Sequence, residues 1–157
     1  MTEKNKDQAS AAQILAVGKH RAQEMKLTYA GALRPNEAYA LLQANPAAKL
    51  VDVRSRAECD WVGRVPGAVE IEWQGYPGMQ PNEKFLSQLE QLVDKKAPIF
   101  FMCRTGGRSN AAAIAATQVG FTDCYNMLEG FEGDKDEAGH RGLKNGWKAS
   151  GLPWGQG

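Results

Sequence analysis

The apolar run Ile99-Phe100-Phe101-Met102 leads into Cys103-Arg104-Thr105-Gly106-Gly107-Arg108-Ser109, and an alanine-rich run from Asn110 to Ala116 leads out. This junction constrains the fold more than any other stretch. Apolar residues with two phenylalanines suit a buried strand, and the alanines suit a helix packed closely on a sheet. Cys103 therefore stands where a strand ends and a helix begins. Gly106 and Gly107 let the backbone curl, with its N–H groups turned inward around an anion-sized space. The helix N-terminus adds positive potential at the same place, and Arg104 and Arg108 add formal charge. An ordinary cysteine is only ~3% thiolate at pH 7, and surroundings of this kind favour the thiolate. A structural core cysteine has no use for two arginines and two glycines. The expectation is a nucleophilic Cys103 in an anion cradle.

The rest of the chain alternates between strand-like and helix-like segments. The first nine residues are polar and expected to be disordered, and Ser10 to Met25 reads as an amphipathic helix with Ile14, Gly18, Ala22 and Met25 on one face. Pro35 opens a second helix over Asn36 to Ala44, with Ala38, Leu41 and Leu42 inward. A buried strand over Lys49 to Val53 follows, then one or two helical turns from Arg56 to Trp61, a turn at Val65 to Ala68 and a short strand over Val69 to Ile71. Trp73 to Pro81, rich in Gly and Pro, reads as an irregular loop. A helix from Asn82 to Asp94 precedes the central strand; Gly120 is expected to end the alanine-rich helix, and Cys124 to Leu128 forms the last strand. Strands alternating with helices imply an α/β fold, an open parallel sheet with helices on both faces.

Composition narrows the partners. At 157 residues a single core is expected, and nineteen basic against eighteen acidic residues favour neither nucleic acid nor a membrane surface. No apolar run approaches the ~18 residues of a membrane span, and the polar N-terminus lacks the apolar core of a secretion signal. Three widely spaced cysteines make no disulfide framework, so a reducing, cytoplasmic location is expected. Two histidines without ligand spacing and no Cys-x-x-Cys pair argue against a metal, and no cofactor is expected. Cys59 and Cys124 read as buried side chains, not as a resolving thiol or a second nucleophile, and His20 as solvent-facing.

The Cys103 loop resembles the active-site loop of rhodanese-type sulfurtransferases. Leu50-Val51-Asp52-Val53-Arg54 is similar to that family's strand ending in Asp-Val-Arg, and Gly63-Arg64-Val65-Pro66-Gly67-Ala68 to its Gly-His-Ile-Pro-Gly-Ala segment. Leu128-Glu129-Gly130 and Trp147 to Pro153 resemble its closing signature. The resemblance implies a five-stranded rhodanese arrangement over residues 33–157, with residues 1–32 forming a polar tail and helical extension. It implies a sulfurtransferase in which Cys103 takes sulfur from a small anionic donor such as thiosulfate. The resulting persulfide passes the sulfur to cyanide, a thiol or a protein. Thr105, Gly106, Gly107 and the two arginines would bind substrate, with Ser109 capping the helix or supporting the loop. Asp52 and Arg54 would hold the loop or shape its rim, unless they form a plain salt bridge with Glu58 or another neighbour. Two departures stand out. Arg64 replaces the usual His and adds positive charge near the pocket, and residues 131–146 are longer than most small rhodanese domains carry there. The long stretch is expected on the surface, as a lid over the cysteine or a merely decorative loop. Two other classes share features of this loop. Dual-specificity phosphatases place five residues between Cys and Arg, where this chain has four. A carrier or regulatory module would use the same cysteine with a protein partner.

Overall fold

The computed structural model describes residues 3–156, with the backbone alone for residues 3–9. Helix α1, Glu3–Met25, leads to strand β1, Gly31–Leu33, helix α2, Pro35–Ala44, and strand β2, Lys49–Asp52. Helix α3, Arg56–Val62, strand β3, Val69–Glu70, and a hairpin of β4, Gln74–Gly75, and β5, Gln80–Pro81, come next. Helix α4, Phe85–Leu92, strand β6, Ile99–Met102, helix α5, Gly107–Gln118, and strand β7, Cys124–Met127, complete the regular elements. The five-stranded sheet runs β1-β7-β6-β2-β3 and every pairing in it is parallel. The expected α/β architecture is the one observed.

Strand β6 lies at the centre of the sheet and is buried throughout. Its side chains alternate between two cores, as the two-residue period of a strand requires. Ile99 and Phe101 pack with Val51, Phe85 and Leu89, and with Ala112, Ala113 and Ala116 of α5. Phe100 and Met102 face the other way, onto Leu33, Ala38, Leu41, Phe131 and Trp147. The alanines of α5 let its backbone sit close against the sheet. That helix ends as expected at Gly120: its N–H and that of Phe121 reach the carbonyls of Thr117 and Ala116, with Gly120 at φ 100°. This is the glycine-terminated helix end known as a Schellman motif.

Several elements differ from expectation. The expected disordered tail falls partly on Met1 and Thr2, which lie outside the described residues; from Glu3 onward the backbone is helical. Nothing between Glu3 and Met25 except Gly18 breaks a helix. Met25 is 50% exposed, because the helix is ending there and the face of Ile14, Gly18 and Ala22 has already left the core. Strand β1 had no sequence signal: three small or aliphatic residues form it by pairing with β7. Residues 74–81, expected to be irregular, form the β4–β5 hairpin, in which Gln74 faces Pro81 and Gly75 faces Gln80. Helix α4 is shorter at both ends than its apolar period suggests, since Asn82 bonds back to Trp73 before the helix begins.

Helix α1 belongs to the packed structure. A Cβ on Gly18 would lie 2.8 Å from Leu33 Cδ2 and 3.2 Å from the Ala32 carbonyl oxygen, so the glycine lets α1 touch β1. Arg21 donates to the Ala32 carbonyl at 2.6 Å and to both oxygens of Glu37 on α2. Gly18→Val is therefore expected to cost about 1–3 kcal/mol, since Leu33 is fully buried and cannot yield. Urea unfolding of the two proteins measures this directly.

Candidate active site

Strand β6 delivers Cys103 to the C-terminal edge of the sheet, where ligands bind in open parallel α/β folds. The residue is 1% exposed. Its Sγ accepts a hydrogen bond from the Gly106 N–H at 3.1 Å and lies 3.3 Å from Ser109 Oγ. Gly106 is the N-cap of α5 with φ 109°, a left-handed conformation that favours glycine, so the sulfur sits at the positive end of that helix. Asn126 on β7 donates through Nδ2 to the Gly106 carbonyl, which turns its Oδ1 toward Ser109; Ser109 Oγ donates to it at 2.6 Å. Ser109 thus has two acceptors for one proton. Ser109 stands two residues inside the helix and supports the loop, while Gly106 occupies the cap position.

The reverse side of the loop is tied to residues 130–133. The Phe131 N–H donates to the Cys103 carbonyl at 2.8 Å, and the N–H groups of Glu132 and Gly133 donate to the Arg104 carbonyl at 3.0 and 3.2 Å. These bonds anchor the first two residues of the loop, and the Gly106 N–H, from the turn that follows, points at the sulfur. A Cβ on Gly130 would fall 2.4 Å from the Arg104 oxygen and 2.6 Å from that of Cys103. That close approach and its φ of 72° both require glycine. The long stretch 131–146 thus begins as the support of the loop. Its remainder closes on itself: Trp147 and Lys148 bond to the carbonyls of Gly130 and Phe131, Asn145 bridges to Asp134, and Arg141 holds the Gly133 carbonyl. His140 is exposed.

The two arginines of the loop are in different states. Arg108 donates to both oxygens of Glu58 on α3, at 2.6 and 2.8 Å. Ser55 caps α3 and also donates to Glu58 Oε1 at 3.0 Å. Burial alone pushes the Glu58 carboxyl up, but hydrogen bonds and charge from Arg108, then from Ser55, outweigh it and hold the group at about 2. Arg104 is exposed and has no ion pair among the described residues. Ser55-x-x-Glu58 is a capping-box pattern visible in the sequence, yet nothing in the sequence says that Glu58 reaches across to Arg108.

Asp52 and Arg54 form a fully buried pair. Arg54 Nε and Nη2 donate to Asp52 at 3.0 and 2.7 Å, and Nη2 also reaches the Gly63 carbonyl at 2.8 Å. The guanidinium lies 4.3 Å above the ring of Phe131, the residue whose N–H holds Cys103. Glu58 is thus not its partner. Arg64 is paired with Asp60 at 2.5 Å and Glu70 at 2.8 Å, so its charge is matched by carboxylates and does not reach the mouth. Burial, aided by Asp52, pushes the Cys59 thiol up to about 12, and burial pushes Cys124 up to about 11. Both stay protonated at neutral pH.

A cleft of about 580 Å³ opens over the loop. Its lining comes from Ser55, Glu58 and Val62 on one side, Gln74, Tyr76 and Met79 of the hairpin on another, and Arg104, Arg108 and Glu132. Of residues 131–146, then, Glu132 lines the cleft. The hairpin residues were not anticipated, because a stretch of Gln, Gly and Pro carries no strand signal. Among the described residues no cluster of side chains is suited to a metal, and no helix is long and apolar enough to cross a membrane.

A parallel five-stranded sheet with a cysteine loop at its edge and this order of motifs defines a class, and the comparisons agree: the chain belongs to the rhodanese-like domain family, whose model matches residues 34–137. It is 43% identical to Rv0390 from M. tuberculosis, with a TM-score of 0.77 over 83% of this chain and all of that one. An uncharacterized protein of Rickettsia rickettsii is 38% identical over 75% of this chain and 91% of its own length. Thiosulfate sulfurtransferase GlpE of Tolumonas auensis is 30% identical over 62% of this chain and 80% of its own.

The depressed Glu58 carboxyl has a consequence for stability. A group held at about 2 in the folded state against 4.5 in the unfolded chain stabilises the fold above pH 4.5, and that contribution is lost as the pH falls toward 2. Melting temperatures followed from pH 6 to pH 2 are expected to fall less steeply for Glu58→Gln than for the parent over that window.

Proposed function

We propose that the protein is a sulfurtransferase that carries sulfur as a persulfide on Cys103. The observation that carries this reading is a buried sulfur at a helix N-terminus with a backbone N–H aimed at it. The Cys103 thiolate attacks the outer sulfur of thiosulfate; the S–S bond of the donor breaks and sulfite leaves with the bonding pair. The charge of the new persulfide anion falls where the Gly106 N–H and the start of α5 already point. In the second half-reaction cyanide, a thiol or a protein nucleophile attacks the terminal sulfur, and Cys103 leaves as the thiolate. Both steps are displacements at sulfur, so neither needs a redox partner. Donor and acceptor react in turn at one nucleophile, which makes the kinetics ping-pong.

Arg104 meets the oxyanion of the donor, since its guanidinium is unpaired at the mouth. Arg108 acts mainly by holding α3 against the loop through Glu58. Cys59 and Cys124 are poor alternatives, as buried thiols held protonated. That GlpE of Tolumonas auensis and an Arabidopsis thaliana chloroplast relative, 27% identical, bear the name thiosulfate sulfurtransferase supports the same reading.

Thiocyanate formation from thiosulfate and cyanide is the test. Cys103→Ser is expected to lower the rate by about a thousandfold or more. Turnover that persists in this variant would place the sulfur on another cysteine. No turnover in either protein, with the parent still taking up sulfur on Cys103, would instead favour a carrier serving a protein partner.

A further inference from the structure

The charge and the walls of the mouth do not match a small inorganic dianion. Two cations line it, Arg104 and Arg108, but so do two carboxylates, Glu58 and Glu132, and Glu58 already occupies both ends of the Arg108 guanidinium. One unpaired positive group is left to meet a donor. The remaining lining is Ser55 and Gln74 together with an apolar strip. Val62, Tyr76 and Met79 form the strip, and Trp61 sets its ring against Tyr76 at 5.2 Å and 81°. Trp61 is 64% exposed, Tyr76 57% and Met79 40%, so apolar surface faces water at the cleft that Arg104 and Arg108 of the Cys103 loop also line. Such patches mark places where an apolar group is received. A cleft of about 580 Å³ has room for an organic body as well as the reacting sulfur.

We propose that the preferred donor is a monoanion bearing its sulfane sulfur on an apolar organic body, which rests on Tyr76, Met79 and Val62 while its one charge faces Arg104. This rests on the Cys103 persulfide reading and specifies its substrate. For an organic thiosulfonate the step balances as before. The Cys103 thiolate bonds to the outer sulfur, the bond from that sulfur to the sulfonyl sulfur breaks, and a sulfinate anion leaves with the electron pair.

Three donors separate charge from body: thiosulfate, a dianion with no organic group; methanethiosulfonate, a monoanion with a small one; and benzenethiosulfonate, a monoanion with an aromatic one. With cyanide as acceptor, kcat/KM is expected to rise in that order. Intrinsic donor reactivity cancels when variants are compared by ratios. Tyr76→Ala, and separately Met79→Ala, is expected to lower the benzenethiosulfonate to methanethiosulfonate ratio by about tenfold, the worth of partly burying a phenyl ring. Glu58→Gln, which removes the counter-charge from Arg108, is expected to raise thiosulfate several-fold relative to methanethiosulfonate. If both hairpin variants leave the first ratio unchanged, or thiosulfate is the best donor of the parent, the proposed preference is wrong while the persulfide chemistry stands. If no donor is turned over, or Cys103→Ser is as active as the parent, the sulfurtransferase reading fails and this inference with it.

Discussion

Three backbone hydrogen bonds hold the active-site loop in shape, from Phe131, Glu132 and Gly133 to the carbonyls of Cys103 and Arg104. They anchor the two peptide planes that follow β6, and the turn that continues from them brings the Gly106 N–H to 3.1 Å from the Cys103 sulfur. Gly130 makes the approach possible, because any side chain there would meet two carbonyl oxygens. The loop around Cys103 is thus held from behind by residues 130–133.

Two arginine–carboxylate pairs extend this support outward. Asp52–Arg54 is wholly buried and presses against Phe131, while Glu58–Arg108 is half-buried and joins α3 to the start of α5. A buried pair is a costly element whose loss of one partner leaves an uncompensated charge. Here the pairs specify geometry: each meets two oxygens of one carboxylate, which fixes orientation as well as distance. The pairing also decides which cation remains for a ligand. Arg104 faces the cleft without a carboxylate partner; Arg108 does not.

The apolar rim is the other determinant of the mouth. It is assembled from α3 and the short β4–β5 hairpin, which stands outside the five-stranded sheet and brings Tyr76 into ring contact with Trp61. What surrounds the Cys103 loop thus comes from loops, a short helix and a short hairpin, the kind of segment that carries binding features on a rigid scaffold.

Much of this was legible from residue patterns. The apolar run, the paired glycines and the alanines placed Cys103 at a strand–helix junction, because strand, turn and helix preferences are local. Gly120 ending α5 and the buried Val51 and Phe101 were readable for the same reason. The β1 strand and the hairpin were not, since β1 exists only through a partner distant in sequence and the two-residue strands of the hairpin are too short to show a period. The sequence by itself determined the strand–loop–helix junction at Cys103 and the parallel α/β class. Only the tertiary structure decided that Arg108 belongs to Glu58, that Arg64 is matched by two carboxylates, and that residues 131–133 prop the loop. The first and last of these join segments far apart in the chain, and the Arg64 pairs, though local, join a helix end, a turn and a strand; ion pairing and backbone bonding depend on where the fold brings the groups, not on residue type alone.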